Sequence, residues 1–154
     1  MTHIVKTALS SDNLATLDTL KSNVDFLSNS IRLGVNNYSN LSKYEVSKWK
    51  GWTRTQRSTF KSCFADEDIN KAVIGYFLKF PANTGLLDDM NAWDGESVAG
   101  TIVAYSLTDN NTITIDNQVI SLDRGQGVEF SLTNIHSVST SSAERNWACL
   151  MLMK

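Results

Sequence analysis

The chain has 154 residues, of which 42% are hydrophobic and 19% charged, so it fits a single globular domain with a substantial core. One proline and eight glycines argue against a disordered or linker-rich chain. The net charge of −2, with no basic stripe, argues against nucleic acid as a partner. Basic residues are denser across residues 43–61, which we interpret as a solvated face rather than a phosphate-binding patch.

The cysteines and the hydrophobic runs indicate where in the cell the protein is expected. Cys63 and Cys149 form no C-x-x-C pair and suggest neither a disulfide framework nor a zinc site. Cys149 lies in the apolar run 147–153, which predicts a buried and unreactive thiol. The N-terminus lacks the apolar stretch of a signal peptide, and no run reaches membrane length. We therefore expect a soluble cytoplasmic protein without a membrane partner; a viral protein would lie in the host cytoplasm or the virion.

The first half of the chain predicts helices after a short apolar run at residues 4–9, which suits a strand or a packed arm. Residues 10–12 offer N-cap candidates, and apolar residues then recur at three- and four-residue steps through residues 14–31, as on one face of a helix. A second, short helix is predicted over residues 53–64. Residues 73–80 then predict a buried strand that ends at the only proline.

The last third of the chain predicts an antiparallel β unit, because short runs rich in Val, Ile, Thr and Phe alternate with Asn, Asp and Gly turns. The predicted strands are residues 101–107, 112–116, 119–122, 128–132, 137–140 and 146–153. The order of elements predicts one α+β domain over residues 1–154, with a mainly helical layer (1–72) and a β-rich core (73–154). We expect an antiparallel jelly-roll or double-stranded β-helix with an N-terminal helical layer.

Two side chains near the C-terminus could carry chemistry. His136 ends one predicted strand, and Arg145 follows across a predicted hairpin centred on residues 141–142. Residues on neighbouring antiparallel strands can face each other at one end of a sheet. A neutral imidazole is a common metal ligand, and a guanidinium binds a carboxylate through two hydrogen bonds. The plainer alternatives are a hydrogen-bonded structural histidine and a surface ion pair between Arg145 and Glu144.

These residues carry a resemblance to a known family. The run G-x-G-V-x-F-x-x-x-x-x-H-S-V over residues 125–138, followed by Arg145, resembles the C-terminal half of the double-stranded β-helix of the Fe(II)/2-oxoglutarate-dependent oxygenases. The resemblance covers roughly residues 75–154. It implies that His136 is the distal iron ligand and that Arg145 anchors the far carboxylate of 2-oxoglutarate. Tyr105 matches the aromatic-bearing strand before the glycine turn, and we include it among the cofactor-binding residues.

The sequence departs from the family at the remaining iron ligands, which the family supplies upstream as H-x-D or H-x-E. The matching region offers Asp88 or Asp89 as the carboxylate ligand, but leucine stands where the first histidine is expected. The only other histidine is His3. Asp88 and Asp89 could equally form a loop or helix-start pair.

Two functional hypotheses follow, and no catalytic residue is assigned. The first is a non-catalytic binding or assembly module on an oxygenase-like fold, viral or otherwise, that forms homo-oligomers or larger assemblies. The alternative is a small, divergent Fe(II)/2-oxoglutarate-dependent hydroxylase with an incomplete set of iron ligands. No G-x-S-x-G motif is present, so a hydrolase of that kind is not predicted.

Overall fold

The structure is a computed structural model that describes residues 3–30, 43–82, 100–131, 136–138 and 141–153. Its helices are α1 (Ser11–Lys21), α2 (Arg54–Lys61) and α3 (Asp66–Lys71), with a 3₁₀ turn at Trp49–Gly51. Its strands are β1 (His3–Lys6), β2 (Leu27–Ser30), β3 (Lys43–Lys48), β4 (Ala72–Phe80), β5 (Gly100–Ser106), β6 (Asn111–Ile115), β7 (Gln118–Leu122), β8 (Gly127–Ser131), β9 (His136–Val138) and β10 (Arg145–Met153). No helix in these ranges is long and apolar enough to cross a membrane.

The described strands form two antiparallel sheets. Seven of them pair in the order β1-β8-β5-β10-β4-β3-β2, and three pair in the order β7-β6-β9. Side chains from both sheets meet in one buried cluster, in which Phe130 and Trp147 of the large sheet join Ile113 and Ile115 of the small one. This two-sheet core confirms the predicted jelly-roll architecture.

The opposite face of the large sheet is covered by helices. Leu17 of α1 and Phe60 of α2 belong to a second buried cluster with Phe77 of β4 and Leu150 of β10. The Phe60 and Phe77 rings meet edge to face with centroids 5.3 Å apart, a favoured aromatic geometry. The large sheet is therefore buried on both faces, one against the small sheet and the other against the predicted helical layer.

Both longer helices begin where their sequences predict. The Ser10 hydroxyl accepts a hydrogen bond from the Asn13 amide at the start of α1. At α2, Thr53 Oγ1 accepts from the Gln56 amide at 3.1 Å, and Gln56 Oε1 accepts from the Thr53 amide at 2.9 Å. Together these bonds form a capping box, which satisfies amides that the first helical turn leaves without partners.

The helix predicted through residue 31 is wrong in its second half, because α1 ends at Lys21. The Asn23 amide donates to the Leu20 carbonyl and its side chain to the Thr19 carbonyl, which closes the helix. The chain then forms edge strand β2, where Leu27 is 73% exposed although its spacing suits an apolar helix face. The layer predicted as mainly helical thus also contains three strands, β1, β2 and β3. Only β2 replaces part of the predicted helix, because its pairing with β3 outweighs the helical periodicity.

The β-rich half closely follows its prediction. Each of the six strands predicted between residues 101 and 153 is present, with ends within a few residues of the expected ones. The predicted buried strand before Pro81 is β4. Asn110, Asp116 and Asn117 have positive φ angles at the ends of β6, a backbone conformation that Asn and Asp adopt more readily than other side chains.

Candidate anion-binding site between the sheets

Arg145 is the first residue of β10 and lies in the interior between the two sheets. Its side chain is on the same face of the strand as Trp147 and Cys149, since alternate residues share a face. It is only 2% exposed, and its guanidinium carbon lies 5.5 Å from the ring centre of Phe80, its partner residue on β4. Burial lowers the pKa of Arg145 from its ordinary value, although a guanidinium remains charged in proteins. Its burial argues against the surface ion pair with Glu144, a residue that accepts a hydrogen bond from Asn146 instead.

Trp147 lies two residues further along the same face and contributes a second buried donor. Its side chain is 0% exposed, and its indole Nε1 has no hydrogen-bond partner among the described residues. A buried donor left unsatisfied costs about 1–3 kcal/mol of stability. The sequence alone favours core or edge packing for this tryptophan over a role in ligand binding. The signal for a site residue was its two-residue spacing from Arg145, which places both side chains on one face.

The next residue on that face is Cys149, whose side chain is a neutral, buried thiol. Cys149 is completely buried and pairs with Tyr76 of β4 in the strand register. Burial raises the pKa of the Cys149 thiol well above its ordinary value, because a thiolate is poorly solvated there. The prediction of a buried cysteine is confirmed, and Cys149 lacks the electropositive, accessible setting of a nucleophile.

Tyr105 lies on the face of the large sheet opposite to that of Arg145. It pairs with Ala148 of β10 and Gly127 of β8, and all three are on the helix-covered face. Its ring lies against Gly127, where an added Cβ would be 2.6 Å from Tyr105 Cε1, and packs on Phe64 with centroids 5.7 Å apart. The expectation that groups Tyr105 with Arg145 is therefore corrected, because strand alternation separates their faces.

A charged cluster beside Tyr105 was not found from the sequence. The Lys6 ammonium bridges a carboxylate oxygen of Asp68 at 3.2 Å and Glu129 Oε1 at 3.3 Å. Burial alone would lower the pKa of Lys6, but its hydrogen bonds and charge interactions with the two carboxylates outweigh that effect and raise it. The two carboxylates are 62 and 123 positions from Lys6 in the sequence. No local sequence pattern therefore predicts that these three side chains meet. The cluster ties β1 to α3 and β8.

The other predicted site residues are placed only in part. His136 begins β9, where the strand register pairs it with Ile115, a fully buried residue of the interior. The side chain of His136 lies outside the described part of the structure, as do Asp88 and Asp89 entirely. Within the described ranges, no group of three His, Cys, Asp or Glu side chains could hold a metal ion.

No protein-family model matches the chain, and curated proteins give no significant match either. Solved structures, in contrast, do match the chain. A prolyl hydroxylase from Trichoplax adhaerens, in complex with a peptide fragment of the hypoxia inducible factor oxygen degradation domain, has a TM-score of 0.69 at 15% identity over 98% of this chain and 83% of that chain. HygX from Streptomyces hygroscopicus, with nickel, 2-oxoglutarate and hygromycin B bound, has a TM-score of 0.67 at 7% identity over 97% of this chain and 81% of that chain.

A third match is an oxidoreductase of the 2OG-Fe(II) oxygenase family from Burkholderia pseudomallei, with a TM-score of 0.64 at 11% identity over 97% of this chain and 84% of that chain. The chain has the double-stranded β-helix fold of the 2-oxoglutarate oxygenases. At these identities the likeness establishes the fold alone, and the chemistry of this double-stranded β-helix depends on its own residues.

Those residues do not fit the iron centre of this fold, which needs two imidazoles and one carboxylate. The chain contains two histidines, and His3 lies in β1 at one edge of the large sheet, opposite Phe130 of β8. Strands β8 and β5 separate β1 from β10, a distance of roughly 14 Å at three strand spacings. At most one imidazole, that of His136, is therefore available near Arg145.

Proposed function

We propose that this protein binds a small dicarboxylate of the 2-oxoglutarate type between its two sheets and holds it through Arg145. In this proposal it works as a binding module rather than as an iron-dependent oxygenase. The observation that carries the proposal is the burial of the Arg145 guanidinium in the interior, 2% exposed and beside Phe80.

The chemistry of a buried guanidinium favours a carboxylate ligand. Its planar fork can donate two parallel hydrogen bonds to one carboxylate, and both partners are charged. Such bonds are stronger in a low-dielectric interior than in water. HygX, a structural neighbour, was solved with 2-oxoglutarate bound.

The shortage of imidazoles supports a non-catalytic role. One histidine and one carboxylate would hold Fe(II) weakly, because nitrogen ligands contribute to the selectivity for iron. A module that binds a dicarboxylate without iron could report its concentration or support an assembly. Homo-oligomers, or larger assemblies of viral or other origin, remain a sequence-based prediction that native mass spectrometry at micromolar concentration would test.

The alternative is a divergent Fe(II)/2-oxoglutarate hydroxylase. It is favoured by the location of His136, whose strand β9 belongs to the small sheet and directly precedes β10 in the order of strands. In that case His136 with Asp88 or Asp89 would hold the iron, and Arg145 would keep its role toward 2-oxoglutarate. When bound, the iron would supply the activation of oxygen.

Calorimetric titration of 2-oxoglutarate in metal-free buffer containing EDTA tests the proposal. We expect saturable binding to the wild type and a loss of at least about 30-fold in affinity in Arg145→Met, because truncating one partner of a buried charge pair costs about 2–5 kcal/mol. The matched control is Arg124→Met, which removes a partly exposed arginine that pairs with Asp18 at the surface. Circular dichroism and thermal unfolding would verify that each variant is folded. Absence of wild-type binding, or equal binding by Arg145→Met, would refute the proposal.

An anaerobic titration with Fe(II) and 2-oxoglutarate separates the binding module from the hydroxylase. We expect no metal-to-ligand charge-transfer band, and metal content at background. A saturable band that disappears in His136→Ala would instead establish the hydroxylase, and succinate release on exposure to air would then be the next assay.

A further inference from the structure

We infer that the indole N–H of Trp147 is a second ligand donor, which binds one carboxylate of the dicarboxylate while Arg145 holds the other. The inference rests on the proposed function and assigns a specificity role to a residue that otherwise belongs to the core. It starts from the completely buried Nε1 of Trp147, which has no hydrogen-bond partner in the part of the chain that the structure describes.

A second tryptophan shows that this situation is not general in the protein. Trp52 is also buried, but its Nε1 donates to Ser47 Oγ at 2.8 Å on the helix-covered side of the large sheet. Buried tryptophans ordinarily find such an acceptor. If Trp147 served only to fill the core, its position would need a ring but no N–H. An N–H with no acceptor among the described residues, on the same strand face as Arg145, is the arrangement expected of a site that awaits a ligand oxygen.

The spacing of the two donors suggests the ligand class. Arg145 and Trp147 are two residues apart on β10, so their backbones are separated by about 6.7 Å along the strand. The carboxyl carbons of an extended five-carbon dicarboxylate are about 5 Å apart, given carbon–carbon bonds near 1.5 Å. With a hydrogen bond of about 2.9 Å at each end, such a molecule can reach both donors. A monocarboxylate of the same length would occupy only one of them.

The first test compares Trp147→Phe with the wild type by calorimetry, with glutarate and 2-oxoglutarate as probes. This change keeps an aromatic ring and removes the N–H. We expect Kd to rise about tenfold for both probes, equivalent to about 1.4 kcal/mol, the scale of one hydrogen bond. The matched control is Trp52→Phe, which removes an indole N–H outside the site and should leave Kd unchanged.

The second test uses the wild type alone and does not depend on the folding of a variant. In ¹⁵N-labelled protein the four tryptophans give four indole N–H resonances, and the resonance missing from Trp147→Phe identifies Trp147. We expect this resonance to move downfield on addition of glutarate, while that of Trp52 stays in place.

The outcomes separate this inference from the proposal on which it rests. Binding that requires Arg145 but leaves the Trp147 resonance unmoved, and Kd unchanged in Trp147→Phe, would overturn the inference and keep the proposed function. No wild-type binding of either probe would overturn both. Loss of binding in Arg145→Met together with tenfold weakening in Trp147→Phe would support both.

Discussion

Substituting Gly127 by alanine should destabilise the protein, because Tyr105 occupies the space of the added methyl group. A Cβ at Gly127 would overlap Cδ1 of the Tyr105 ring and lie 2.6 Å and 3.0 Å from two further ring atoms, closer than real Cβ contacts allow. The ring is 4% exposed and packs against Phe64, so it has little room to move. Overpacking of this kind lowers the free energy of unfolding by about 1–3 kcal/mol. Because the neighbouring rings have little room to move, we expect about 2–3 kcal/mol for Gly127→Ala.

The measurement is thermal and urea unfolding, in which this cost corresponds to a fall in Tm of about 4–12 °C for a domain of this size. Gly51→Ala is the matched control, since nothing described lies within 4 Å of its added Cβ, and it should change stability by less than about 0.5 kcal/mol. In a Tyr105→Ala background the penalty of Gly127→Ala should fall below about 1 kcal/mol. A harmless Gly127→Ala, or an equal penalty in both backgrounds, would refute the placement of Tyr105 on the helix-covered face.

Three further predictions concern the cap of α2, the charged cluster and the thiols. Thr53→Ala removes the acceptor of the Gln56 amide and should cost about 1 kcal/mol in urea unfolding, whereas Thr53→Ser should cost clearly less. Lys6→Met leaves the buried Asp68 carboxylate without its cation and should cost about 2–4 kcal/mol; Lys6→Met/Asp68→Asn should recover part of this loss. Since the pKa of Lys6 is raised on folding, its contribution is complete below the unfolded-state value and is lost as pH rises beyond about 10.4, so wild type and Lys6→Met should converge in alkaline buffer. Burial raises the pKa of Cys149 and Cys63 is also buried, so neither thiol should react with Ellman's reagent at pH 8 until denaturant unfolds the chain; rapid labelling of the folded protein would contradict their burial.

Much of the fold could be predicted from local chemistry. Turn residues such as Asn117 and the alternation within β6 and β8 mark the strands of the second half, because these signals act between neighbours in sequence. The caps at Ser10 and Thr53 likewise depend on side chains three residues away. The end of α1 could not be predicted in this way, because β2 exists only through its pairing with β3.

The candidate site was predicted less completely than the fold. Arg145 was singled out by its chemistry and by the resemblance to the oxygenases, and its burial agrees with a binding role. Tyr105 was predicted to bind the cofactor together with Arg145, whereas the structure places it on the helix-covered face of the large sheet. Nearly every residue of β5 is buried, since the small sheet covers one face of the large sheet and the helices cover the other. A strand covered on both sides loses the alternation of polar and apolar residues that would reveal its inner face.

The sequence by itself therefore determined the strands and turns of the second half, the starts of α1 and α2 and the scarcity of histidine, because each depends on composition or on residues close together in the chain. Only the tertiary structure decided which face of each strand is turned toward Arg145, and that Lys6 meets Asp68 and Glu129. It also revealed that the indole N–H of Trp147 has no acceptor within the described ranges. These facts depend on which elements pack on either side of one sheet, and such long-range packing leaves no local pattern in the sequence.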